Sequence, residues 1–182
     1  MKSCTLTVAA MALMLLGMGS SHAGLDLVDQ VDLERYQGRW YEIVRLPNRF
    51  QRQCESDVSA DYRLRDDGRI DVTNRCRRED GSYAEANGVA RRADPDGPEA
   101  ALEVRFAPRW LSFLPFVWGD YRIIALDTDY EYALVGSENR RYLWVLARTP
   151  DLSEKRLDAL LQIAREQGFD IDDLILTRHE AD

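Results

Sequence analysis

From Arg39 to Arg148 the chain consists of eight short segments in which apolar and polar residues alternate, separated by turn residues. Alternation with period two sends successive side chains to opposite faces, so each segment reads as a half-buried β-strand. The first puts Trp40, Glu42, Val44 and Leu46 on one face, and the second Val58, Ala60, Tyr62 and Leu64. The Asp-Gly turn in "RDDGR" leads to Ile70, Val72, Asn74 and Cys76, and "EDGS" leads to a strand over 83–92. "ADPDGPE" is a breaker ahead of Leu102, Val104 and Phe106. Strands over 121–127, 130–137 and 141–148 bring in Tyr121, Ile123, Tyr142 and Trp144. Short sequential connections favour a meander, and eight strands can close on themselves and hide their edges. The predicted fold is therefore all-β, an eight-stranded antiparallel up-and-down barrel. One α-helix follows, with Leu157, Leu160, Leu161 and Ala164 on one face, Ser153 at its N-cap and Gly168 at its end. It is expected to dock outside the barrel, and "DDLIL" can add a last short strand.

The N-terminus has a different pattern. Lys2, an apolar run from Thr5 to Met18 and Ser21-His22-Ala23 before Gly24 read as a signal peptide over 1–23. The run is too short to span a bilayer comfortably. The expectation is a periplasmic or secreted protein with one domain over 24–182. An outer-membrane lipoprotein is less expected, because no cysteine follows the cleavage site and Cys4 precedes the apolar run. A formal charge of −8, with arginines scattered rather than striped, argues against nucleic acid and against anionic membrane surfaces as partners. Two cysteines remain, Cys54 and Cys76, and an even count in an exported chain reads as a disulfide, with a pair of buried thiols as the alternative. No metal site is expected, since only His179 survives processing and it lies in a polar tail.

Three motifs in register carry a family resemblance. "RYQGRWYEI" resembles the first signature of the lipocalins, a Gly-x-Trp opening the first barrel strand. Thr128, Asp129 and Tyr130 in "LDTDYEYALV" resemble the second, and Arg148 at the end of "YLWVLARTP" resembles the third. The pattern spans nearly all of the mature chain and is most similar to bacterial lipocalins related to apolipoprotein D. The resemblance implies that a short helical turn over 32–37 crosses the closed end of the barrel. It implies that Gly38 gives tight passage into the first strand, Trp40 plugs the floor and Arg148 lies on its ring. The rival reading of Trp40 is a ligand contact.

Catalysis finds little footing. A serine triad needs a histidine base, and a disulfide would consume both thiols. Asp66-Asp67 and Asp172-Asp173 read as solvated turns, and no glycine-rich phosphate loop or cofactor motif is present. The aromatic residues are more informative. In a closed barrel the inward phase lines a cup that suits a hydrophobic small molecule. Candidate ligand residues are Trp144, Trp118, Tyr121, Tyr142, Tyr62, Leu102, Val104, Phe106 and Ile123. Glu42 shares the inward phase and either pairs with an inward arginine or meets a ligand head group. The loop 109–118, "RWLSFLPFVW", lies at the open mouth and carries too many apolar groups for a solvent loop. It folds inward as a rim, makes a homodimer patch or touches a membrane surface. The expected function is binding and carriage of a fatty acid or lysophospholipid, the lipid class being what the bacterial resemblance implies. The rivals are an enzyme acting on a lipid in the same barrel and a protein-interaction module using the mouth loop.

Overall fold

The computed structural model describes residues 24–180; the leader read over 1–23 lies outside the described residues. The turn α1 (Leu33–Tyr36) is capped by Asp32, whose carboxylate accepts from the N–H groups of Glu34 and Arg35. Eight strands follow in meander order: β1 (Gly38–Arg45), β2 (Ser56–Leu64), β3 (Ile70–Arg77), β4 (Tyr83–Arg92), β5 (Ala101–Arg105), β6 (Gly119–Leu126), β7 (Tyr132–Gly136) and β8 (Leu143–Ala147). Every neighbour pair is antiparallel, and β1 pairs with both β2 and β8, which closes the barrel. The even-numbered strands descend from the mouth and the odd-numbered ones rise to it. The loops 46–55, 78–82, 106–118 and 137–142 therefore share the open end.

The inside and outside have separate apolar clusters. Trp40, Tyr62, Val72, Ala90, Leu102, Ile123, Val135 and Leu146 pack together within the barrel. Outside, the helix α2 (Glu154–Glu166) buries Leu160 and Ala164 against Ile43, Leu134, Leu143 and Val145. It ends at Gly168, which is left-handed at φ 84°. Ser153 occupies the N-cap position, but its side chain makes no capping bond.

β1 departs from the simple alternation. A bulge between Glu42 and Val44 shifts its register against β8. Each bulge inserts one unpaired residue and resets the phase. Val44 and Leu46, expected to share a face with Trp40, instead join the outer cluster under α2. Arg45, opposite Trp144, turns inward. Beyond Tyr41, β1 parts from β2, and the gap is filled by β9 (Ile175–Leu176), which pairs with Val44 and Arg45. Arg178 then bridges to Ser56 at the start of β2. His179, expected in a free polar tail, is held in the wall by Nε2 at 2.8 Å from the Glu42 carbonyl oxygen.

Cys54 and Cys76 form a disulfide with Cα atoms 5.4 Å apart across a separation of 22 residues. It ties the first mouth loop to the top of β3. Cross-linking a ring of that size removes about 3 kcal/mol of unfolded-chain entropy. Reduced protein, or Cys54→Ala/Cys76→Ala, is expected to lose about that much stability in denaturant titration while retaining its β-sheet circular dichroism. Equal midpoints for oxidised and reduced protein would contradict this.

Candidate functional site

The floor is assembled from three distant stretches of sequence. Gly38 enters β1 at φ 95°, a backbone conformation that side chains resist, and a Cβ there would sit 3.4 Å from an Arg148 nitrogen. That turn drops Trp40 into the barrel, where it is 0% exposed and donates Nε1–H to the Tyr36 carbonyl at 2.8 Å. The Arg148 guanidinium caps the indole at 4.0 Å from the ring centroid. Its nitrogens donate to the carbonyl oxygens of Arg35, Tyr36, Arg39 and Tyr130. Tyr130, in a turn at φ 64°, accepts the Asp32 N–H on its hydroxyl, and Arg35 lies over its ring and donates to the Thr128 carbonyl. Asp129 donates its N–H to Asp127 within that turn. Gly38, Trp40, Thr128, Tyr130 and Arg148 thus form one latch around α1.

Three phenols adjoin the floor. The Tyr36 ring packs on Trp40 at 4.9 Å. Its hydroxyl lies 2.7 Å from that of Tyr121, which lies 3.0 Å from that of Tyr62. Burial raises all three phenol pKa values, Tyr62 to about 12 and Tyr36 and Tyr121 well above the ordinary range. They therefore remain protonated donors at physiological pH.

The inner wall is lopsided. β4 presents Ala84, Ala86, Gly88 and Ala90 in its inward phase, facing Cys76, Asn74, Val72 and Ile70 of β3. Ala86 is exposed although it shares the inward phase of β4. Across it, β8 presents Trp144 with Tyr142 stacked at 6.0 Å, and Phe50 of the first loop adds to Tyr142 at 5.5 Å. Phe106 continues the inward phase of β5 and lies over Gly88, where a Cβ would strike its ring at 2.7 Å. Val104 borders the same inner cluster, while Leu102 and Ile123 are fully buried deeper within it.

Two candidates occupy other places. Glu42 faces inward, but both carboxylate oxygens are engaged. Oε1 accepts from Arg45 at 2.6 Å and Thr177 at 2.6 Å, and Oε2 from Gln51 at 2.5 Å. The bulge brings Arg45 to the same side, which answers the choice between an ion pair and a head-group contact in favour of the pair. Trp118, expected at the rim, lies on the outer wall. Gly119 takes the inward phase, so the residue before it turns out. Its indole sits under Arg91 at 3.9 Å and near Arg105 at 5.2 Å. The mouth loop does not fold inward as a rim either: Trp110, Phe113 and Phe116 are 72%, 75% and 79% exposed.

Sequence reasoning missed Tyr36, Arg45 and Gln51. Gln51 dips from the first loop, donating to Glu42 and accepting Trp144 Nε1–H at 3.0 Å. Tyr36 was detectable as an aromatic four residues before Trp40 in a helical turn. The small residues of β4 were legible as well, at strict period two in "YAEANGVA".

Comparison with known proteins agrees with this geometry. The family model described as a lipocalin-like domain matches residues 31–179. Temperature-induced lipocalin-1 of Arabidopsis thaliana is 41% identical over 151 residues, covering 82% of this chain and 80% of the relative. Outer membrane lipoprotein Blc of Escherichia coli (strain K12) is 40% identical over 153 residues, covering 84% and 81%. Apolipoprotein D of Mus musculus is 34% identical over 164 residues, covering 82% and 77%.

Arg148→Ala removes four carbonyl contacts and the indole cap together. It is expected to cost about 2–4 kcal/mol in denaturant unfolding and to leave ligand affinity per folded molecule unchanged. Unchanged stability with a large loss of affinity would make Arg148 a ligand residue instead.

Proposed function

The chain belongs to the lipocalin family, and from that membership we propose that it is an exported carrier. It takes one hydrophobic small molecule, a fatty acid or lysophospholipid, into the cup above Trp40. The observation that carries this reading is the uneven inner wall, with small side chains on β3 and β4 facing the aromatic group of Trp144 and Tyr142. Small residues leave volume, and aromatic faces give an acyl chain a surface to lie on. Burying a methylene gains about 0.8 kcal/mol, so a dozen carbons gain about 10 kcal/mol before immobilisation is subtracted. The remainder is of the order of micromolar affinity. Binding and release involve no bond making, and the two thiols that catalysis would use are joined to each other. Export rests on the leader over 1–23 and on likeness to a bacterial outer membrane lipoprotein. That relative's name lends no support to the expectation against a lipid anchor.

The proposal is tested by displacing a fluorescent fatty acid. Trp144→Ala is expected to weaken binding severalfold while the fold is retained, and Trp118→Ala, on the outer wall, to leave it unchanged. Parental affinity in folded Trp144→Ala protein would move the site elsewhere and favour the interaction-module reading.

The mouth loop adds a second element, contact with an anionic membrane surface. Trp110, Phe113 and Phe116 stand out at the same open end as the exposed Phe50. The mouth loops 46–55 and 106–118 contain Arg49, Arg52 and Arg109 against the single carboxylate Glu55, on a chain of net charge −8. Exposed aromatics with local positive charge suit a lipid interface. Cosedimentation with vesicles containing anionic phospholipid is expected for the parent and lost in Trp110→Ser/Phe113→Ser/Phe116→Ser. No vesicle binding, with a dimer that the same triple variant abolishes, would assign the loop to self-association.

A further inference from the structure

We propose that the three phenols at the base of the cup form an oxygen-reading subsite, so that the preferred occupant is an acyl chain carrying a hydroxyl or carbonyl oxygen at its leading end. The inference rests on the cup being the ligand site and specifies what the deep end of that ligand contains.

It begins with a count of protons. Tyr36, Tyr121 and Tyr62 hold three hydroxyl protons, and the chain of contacts at 2.7 Å and 3.0 Å uses two. One O–H is left over whichever way the bonds run. Burial decides where it goes. Tyr36 is 1% exposed and Tyr62 8% exposed, so a donor left over on either would be unmade in a dry place. Tyr121 is only partly buried and occupies the middle position. A phenol oxygen accepts two hydrogen bonds and donates one. The arrangement of lowest cost has Tyr36 and Tyr62 both donating to Tyr121 in the middle, whose own proton is then the one without a partner among the three phenols. An aliphatic chain end meeting that proton leaves a buried donor unsatisfied, which is the expensive half of the hydrogen-bond balance. A chain ending in an oxygen supplies the acceptor. The subsite is neutral, because burial keeps the phenols protonated and Arg148 is committed to backbone carbonyls beneath Trp40. A neutral acceptor therefore suits it, and the chain's charged end stays near the mouth.

The test compares ω-hydroxy fatty acids with their unsubstituted parents from twelve to sixteen carbons, by displacement of a fluorescent fatty acid. At the best-fitting length the hydroxy chain is expected to bind about three- to tenfold more tightly than its parent. Tyr121→Phe should abolish that preference, while Tyr62→Phe, which leaves the Tyr121 proton free, should retain it. Should Tyr121→Phe fail to fold, the tyrosine difference absorbance of the parent protein decides: a hydroxyl-dependent shift is expected, absent with the unsubstituted chain. Equal affinities at every length, or a preference that survives folded Tyr121→Phe, would overturn the subsite and leave lipid binding standing. Failure of both series to bind would overturn the lipid-carrier reading, and the subsite with it.

Discussion

A barrel that is to hold a molecule must be closed at one end, and here closure is one contact, the guanidinium of Arg148 on the indole of Trp40. Burying an indole so deeply requires a partner for its N–H, which the Tyr36 carbonyl supplies from α1. The same guanidinium then binds the carbonyls that α1 and its surroundings leave open. Plug, cap and lid therefore stand or fall together. This explains why Gly38, the turn 127–131 and the end of β8 meet at one point though they are far apart in the chain. The inner apolar cluster of Leu102, Ile123, Val135 and Leu146 packs against the same plug.

The upper half follows from two local departures in the strands. The bulge at Ile43 turns Arg45 inward beside Glu42 and sends Val44 to the helix side. An inward ion pair would be costly alone, but Thr177 and Gln51 satisfy the carboxylate's remaining capacity. That cluster pins the C-terminal segment into the gap between β1 and β2. Through Gln51 it also pins the first mouth loop to Trp144. The small residues of β4 act in the opposite direction by withholding side chains from the middle of the barrel. One wall is thus crosslinked by polar contacts and the other is vacated.

Much of this was legible in the sequence. The period-two pattern marked the strands, most plainly β2, where buried and partly exposed residues alternate, and the helical spacing of Leu157, Leu160, Leu161 and Ala164 marked the outer helix. The three family motifs located the latch. What could not be read was phase after an irregularity. A bulge adds one residue without changing composition, so Val44 and Leu46 were placed inside and Arg45 was overlooked. Trp118 failed for a related reason: an aromatic at a loop end looks like a rim residue until the first strand residue fixes parity. Arg91 and Arg105 then offer it cationic partners outside, a long-range pairing that no local pattern encodes. Tyr36 became meaningful only when β2 and β6 brought Tyr62 and Tyr121 to it.

Native mass spectrometry of the protein, purified without added lipid, tests the central claim most directly. The account predicts a species heavier than the polypeptide by the mass of one acyl-chain lipid, with the bare protein taking up one added long-chain fatty acid after delipidation. A bare polypeptide mass that stays bare in the presence of fatty acid or lysophospholipid would contradict it.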